Sequence, residues 1–286
     1  MSLSMKDLLT AGVHFGHRTQ RWNPKMKHYL YGKRNGIHIF DLEKTAHRLN
    51  DALGFLYTQA SLGKTILFVS TKNQTVDILP EEAEKAHMPY LANRWLGGFL
   101  TNFPTIKKRM QYLLSLEQNV ESGELTKNYT KKEALMFKRE IIKLNEVLVG
   151  VKTLKNLPDV VFVADAVRDH LAIAEAHKMH IPVVAICDSN ADPELVDYTI
   201  PANDDALRSL KIIIAAVSDA IIQGRKAYTP PAEKRESLKP KQKVGEKPID
   251  QIVVAETDIA EKEAEEDKEV KNSYTRKKAT PKPAQK

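Results

Sequence analysis

Among 286 residues there is one cysteine, Cys187, which excludes an internal disulfide and a thiolate zinc cluster and points to a reducing compartment. No run of about 18 apolar residues occurs, so no membrane-spanning helix is expected. The opening MSLSMKDLLTAG lacks the basic start and apolar stretch of a secretion signal, and the expected location is the cytoplasm. Glycine-rich phosphate loops, a nucleophile elbow and paired metal-ligand motifs are missing too, which removes the local signatures of many enzymes. Gly63-Lys64-Thr65 comes nearest, but a phosphate loop needs a glycine where Thr58 stands and must open a helix. Here the tripeptide precedes the apolar run TILFVS, and Gly63 reads as the end of a helix. The most informative absence is of negative charge: no Asp or Glu lies between Asp7 and Asp41.

What fills that gap is HFGHRTQRWNPKMKHYLYGKRNGIH, residues 14–38, with four histidines, six Lys or Arg, and Phe15, Trp22, Tyr29 and Tyr31. The whole chain is 42% apolar and 28% charged, with net charge +7. It can bury a sizeable core, and its basic balance favours a polyanionic partner.

TILFVS (65–70), VVFVA (160–164), PVVAI (182–186) and VDYTI (196–200) are β-branched and bounded by turn residues, as buried parallel strands are; MPYL (88–91) is a shorter candidate. Helical patterns cover 41–61, 73–87, 168–179 and 204–223, the last with Asn203 or Asp204 as cap. This alternation predicts an α/β fold, a mostly parallel open sheet with helices on both faces. Residues 104–149 carry no strand signal and read as two helices joined near ESGELTKN. Ile106, Met110, Leu113 and Val120 form one apolar stripe; Leu135, Ile141 or Ile142, Leu144 and Leu148 form the other. The expectation is an antiparallel helical hairpin inserted between body segments 1–103 and 150–225. After it, 226–286 is rich in Lys, Glu, Pro and Ala and is expected to be a disordered charged tail.

Three readings compete for the 14–38 stretch. His14 and His17 could share a metal, but no local carboxylate completes a site, so a divalent ion would have to be bridged by His17, Asp188 and Asp204 from distant strand ends. A nucleotide- or metal-dependent enzyme would work at the same strand ends around Asp188 and Asp204, and Asp165, Asp169, Asp188, Asp192, Asp204 and Asp205 are numerous enough to supply its carboxylates. Turn formation and helix capping explain such acids equally well. The nucleic-acid reading accounts for more residues. Arg18, Arg21, Lys25, Lys27, Lys33 and Arg34 are unopposed and can neutralise phosphates, while Trp22, His28 and Tyr29 can stack on bases from an extended loop. NRWLGGFLTNFPT (93–105) repeats the theme with Arg94, Trp95 and Asn102. Lys107, Lys108, Lys131 and Lys132 on the hairpin are further candidates. Composition does not separate RNA from DNA.

HFGH (14–17), RWNPKM (21–26), NRWLGG with LTNF (93–103), LPDVVFVAD (157–165), EAHKMHIPVVAICDSNADP (175–193) and IPANDDA (200–206) occur in series. That series closely resembles the bacterial S-two family of small-ribosomal-subunit proteins, from about residue 3 to 225. The resemblance implies an α/β body with an inserted coiled-coil hairpin and no catalytic activity or cofactor. It implies binding to small-subunit rRNA and to neighbouring ribosomal proteins, including the large messenger-binding protein S-one, rather than self-association. Arg18, Arg21, Trp22, Asn23 and Lys25 become the foremost rRNA candidates. Val149-Gly150-Val151-Lys152, Ser189-Asn190, Ala202 and His170 depart from the family pattern, which weakens the case for an ion at Asp188.

Overall fold

The computed structural model describes residues 3–122 and 129–228. Most of the joint expected near ESGELTKN and nearly all of the expected tail lie outside these residues.

Five strands form a parallel sheet: β4 (Ile66–Val69), β5 (Tyr90–Leu91), β6 (Val160–Val163), β7 (Val183–Cys187) and β8 (Tyr198–Pro201), in spatial order β5-β4-β6-β7-β8. β4, β5 and β6 lie within the apolar runs expected for them, while β7 and β8 each run one residue past theirs, to Cys187 and Pro201. Alternate strand residues serve opposite faces. Ile66, Phe68, Val160, Phe162, Val184 and Ile186 pack with α1 (Met5–Thr10), α2 (Leu42–Ser61), α3 (Ile78–Lys85) and α7 (Leu207–Ala227). Leu67, Val69, Val161, Val163, Val183 and Ala185 face the side covered by α6 (His170–Lys178) and by Trp95, Phe99 and Phe103. A strand buried on both faces cannot alternate apolar with polar, which is why these read as continuous apolar runs.

Asp41 caps α2, its carboxylate accepting from the Glu43 amide at 3.1 Å. The helix then buries Thr45, Leu49, Ala52, Leu56 and Ala60, one stripe at helical spacing. It stops at Gly63, whose φ of +75° costs glycine little. Where α2 meets α7, Gly224 lies against the Tyr57 carbonyl and the Ala60 methyl, so the crossing leaves no room for a side chain. The start of α7 differs from expectation. Asn203 Oδ1 accepts from the amides of Asp205 and Ala206 at 2.8 and 3.1 Å, a turn ahead of the helix. Asp204 does not cap; it is buried elsewhere.

Helices α4 (Phe103–Glu121) and α5 (Lys131–Leu148) occupy the segment without strand signals. Met110, Leu113 and Leu148 belong to the same buried cluster as the sheet. Tyr112 donates to Glu140, and Asn145 and Lys152 both donate to Glu117. Of the stripe expected on α5, Leu148 is buried and Ile141 and Leu144 pack against the cluster, Ile142 being 61% exposed; Leu135 is 50% exposed and Ala134 is buried in its stead.

The largest departure lies at the N-terminal end. Residues 14–38 are not an extended loop. β1 (Phe15–Arg18), β2 (Leu30–Arg34) and β3 (Ile37–Phe40) form a separate antiparallel sheet in order β1-β3-β2, with two 3₁₀ turns, Thr19–Arg21 and Pro24–Tyr29, between β1 and β2. The cue is Asn35-Gly36, with φ of 52° and 75°, the residue pair that closes tight hairpins.

Candidate nucleic-acid interface

Backbone and buried contacts fasten this small sheet to the carboxyl edge of the large one. The Asn23 amide donates to the Ser189 carbonyl at 2.7 Å and the Asn203 amide to the Val13 carbonyl at 3.1 Å. Met26 is fully buried among residues of the large sheet. The anchored segment presents Arg18, Arg21, Lys27, His28, Lys33 and Arg34 to solvent. Among the described residues, the five Lys and Arg of that set form no ion pair.

Other residues singled out from the sequence have structural duties. Lys25 is not unopposed: its ammonium lies 2.8 Å from Asp192 and 2.5 Å from Glu194, and those carboxylates raise its pKa. Asn23 Oδ1 accepts from the Lys25 amide and caps the 3₁₀ turn. Trp22 is half-buried with its ring 5.1 Å from that of His38, leaving one part of it to solvent.

In the second loop Arg94 and Asn102 are exposed, but Trp95 is buried, only 7% exposed. Its indole therefore packs in the core, not over a base. The cause is Glu175 on α6. One carboxylate accepts from Trp95 Nε1 at 3.0 Å, from the amides of Gly98, Leu100 and Thr101, and from the Thr101 hydroxyl. Burial would raise the Glu175 pKa, but these donors hold it below the usual range. Lys107 is half-buried and Lys108 exposed on α4; Lys131 and Lys132 are exposed in the first turn of α5.

Under the small sheet several acids noted in the sequence gather around Lys72, the one member of the cluster that the sequence did not single out. In a doubly wound sheet, ligands sit at the carboxyl edge where strand order reverses; here that point lies between β4 and β6. Lys72, three residues past the end of β4, fills it. Its ammonium is 2.8 Å from Asp204, 2.8 Å from Asp205 and 3.2 Å from Asp165, with the side chain only 8% exposed. Burial works against the charge, but hydrogen bonds to Asp204 and Asp205 prevail and raise the Lys72 pKa. Asp165 Oδ1 accepts from the amides of Val167 and Arg168, and Thr71 donates to Asp169.

His17 adjoins this cluster. Its Nδ1 is 3.0 Å from Asp188 Oδ2, and its Nε2 is 3.4 Å from Asp205 Oδ2. The expected ion-bridging trio is thus rearranged. His17 meets Asp188 directly, while Asp204 turns to Lys72. His17, Asp204 and Asp205 could offer ligand atoms to one cation, but Lys72 already engages both acids and supplies the positive charge. Cys187 is no nucleophile: burial raises its thiol pKa well above the usual range.

The Asp188 carboxylate 3.0 Å away raises the His17 pKa from 6.5 to about 9, outweighing burial. Below pH 6.5 the folded and unfolded chains both hold this proton, and its stabilising effect is complete. Between 6.5 and about 9 only the folded chain holds it, so stability falls as pH rises. Across that window, denaturant unfolding should show a loss on the order of 2–3 kcal/mol, and the His17→Gln variant should remove most of the slope. An unchanged slope in the variant would assign the effect elsewhere.

The family model described as "Ribosomal protein S2" matches residues 8–224. "Small ribosomal subunit protein uS2" of Roseiflexus castenholzii is 48% identical over 82% of this chain and 87% of its own length. The protein of the same description from Nitratiruptor sp. is 45% identical over 92% of this chain and 99% of its own. That from Dictyoglomus turgidum is 49% identical over 77% and 89%. The crevice where an α/β enzyme would bind its substrate is packed with the protein's own ions, basic side chains cover the small sheet above it, and the family match runs from residue 8 to residue 224. The chain belongs to the ribosomal protein S2 family, structural proteins of the small ribosomal subunit and not enzymes.

Proposed function

We propose that the chain binds small-subunit rRNA through the small sheet and its 3₁₀ turns, and that on the cytoplasmic ribosome it supports seating of the messenger-binding protein S-one. One observation carries the RNA reading: Arg18, Arg21, Lys27, Lys33 and Arg34 are exposed and form no ion pair among the described residues, on a platform held in place by buried contacts. Each such cation can replace a condensed counterion on a phosphate. His28 and the exposed part of Trp22 are available to stack on an unpaired base. Arg94 and Asn102 form a second, smaller contact; Lys107, Lys108, Lys131 and Lys132 extend it along the helices. Lys25 organises the turn instead, and Trp95 supports its loop from beneath.

The Arg18→Ala/Arg21→Ala/Arg34→Ala variant tests this. Its unfolding free energy should stay within about 0.5 kcal/mol of the parent, since exposed side chains without partners are removed. Its affinity for protein-free small-subunit rRNA should lose roughly 2–3 units of slope in log affinity against log salt, and sucrose gradients should show it depleted from small subunits. Normal incorporation would reject the site. The same gradient fractions, probed for S-one, examine the docking part: subunits lacking the chain should lack S-one.

A further inference from the structure

Beside the small sheet is an open cleft of ≈ 690 Å³ between the Pro24–Tyr29 turn and the first turns of α2, walled by Pro193 and Glu194. Lys25, His28, Tyr29, Lys44, His47 and Arg48 line it. We infer that this cleft binds a phosphodiester segment of RNA, with Lys44 and Arg48 as its principal donors. The inference rests on the rRNA reading above and extends the contact onto a helix that reading does not use.

The two cations are held in place without being used up. Lys44 Nζ donates to the His28 carbonyl at 2.9 Å and lies 3.3 Å from Asp41 Oδ2, leaving one of its three protons free. Arg48 lies over the Tyr29 ring, 5.9 Å from its centroid, and its single ion-pair contact is a long one of 3.9 Å to Asp51. Most of its five donors are therefore free. His47 Nδ1 is engaged by Asp51 at 3.1 Å, and the other ring nitrogen is uncommitted. Lys25 differs, because Asp192 and Glu194 already balance it; it forms a wall and not a donor.

Cations fixed before binding lose little side-chain freedom when an anion arrives. Lys44 and Arg48 are four residues apart on one helix face, so both address the same side of the cleft. His28 belongs to the 3₁₀ turn that also exposes Lys27, so a backbone lying on the small sheet continues into the cleft without a break. An isolated phosphate ion would use the same donors, and the test separates the two sources.

The experiment is filter binding of the full chain to protein-free small-subunit rRNA over a salt series. It compares Lys44→Gln/Arg48→Gln with a control of equal charge loss, Lys155→Gln/Lys178→Gln, at exposed sites elsewhere. The cleft variant should bind about tenfold or more weakly and lose roughly 1.5–2 units of log–log salt slope; the control should change far less. His47→Glu, which adds a negative charge and removes no packed group, should weaken binding in the same direction. Inorganic phosphate should compete only weakly if the polymer is the ligand. Equal losses in cleft variant and control would overturn the inference, as would full competition by inorganic phosphate. Failure of the parent chain itself to bind rRNA would reject the underlying rRNA reading, and the cleft with it.

Discussion

Replacing Lys72 by methionine is expected to lower the unfolding free energy by about 3–5 kcal/mol, the usual cost of removing one partner from a buried ionic group. Asp165 and Asp204 are 7% and 3% exposed at their side chains, with the ammonium between them. Without it they face each other and Asp188 with little access to water. Burial and its acidic neighbours already raise the Asp204 pKa despite Lys72, so the variant should take up a proton there and should be least impaired in acid. Lys72→Met/Asp204→Asn should recover part of the loss, because the double change removes opposite charges together. Urea unfolding of the parent, single and double variants measures all three quantities. A single-variant loss below about 1 kcal/mol would show that the cluster is not the buried charge site described.

Glu175→Ala should be nearly as damaging, about 2–4 kcal/mol, through a different mechanism. The substitution strips the acceptor from five donors, among them the buried Trp95 indole and the loop amides of Gly98, Leu100 and Thr101. Unpaired buried donors cost about 1–3 kcal/mol each, less where water can reach them, and the Thr101 sites are exposed. The amides of Gly98, Leu100 and Thr101 should exchange hydrogen much faster in the variant. Glu175→Gln keeps one strong acceptor and should fall between the two. Unchanged exchange at those amides would show that the loop holds its shape without the carboxylate. Because Arg94 and Asn102 flank this loop, the variant also reports whether that second surface contributes to subunit incorporation.

Much of the architecture is legible in the chain. The runs around Ile66, Val160, Val183 and Tyr198 are strands because apolar β-branched residues bounded by turns have few other stable placements. Asp41 starts α2 and Gly63 ends it, each by local backbone chemistry. The Asn35-Gly36 hairpin was equally local. It was obscured because the flanking LYGKR and IHIF are rich in charge and histidine, which masks the strand pattern of a sheet exposed on one side.

The place of Lys72 at the centre of the ion cluster was not legible, because nothing near it in sequence marks it. Its partners are Asp165, Asp204 and Asp205, the first two 93 and 132 residues away. The same holds for Trp95, whose partner Glu175 is 80 residues distant: from sequence alone an aromatic beside Arg94 reads as a surface ring.

By itself the sequence determined the fold class, the core-facing residues of the large sheet, and the concentration of positive charge between Asp7 and Asp41, since these follow from residue type and short-range pattern. Only the tertiary structure decided which of those charges are free. Lys25 is tied to Asp192 and Glu194, 167 and 169 residues away, while Arg18, Arg21 and Arg34 face solvent. Coulombic pairing depends on distance in space, and that distance is set by how β7 and β8 bring their carboxyl ends beneath the small sheet.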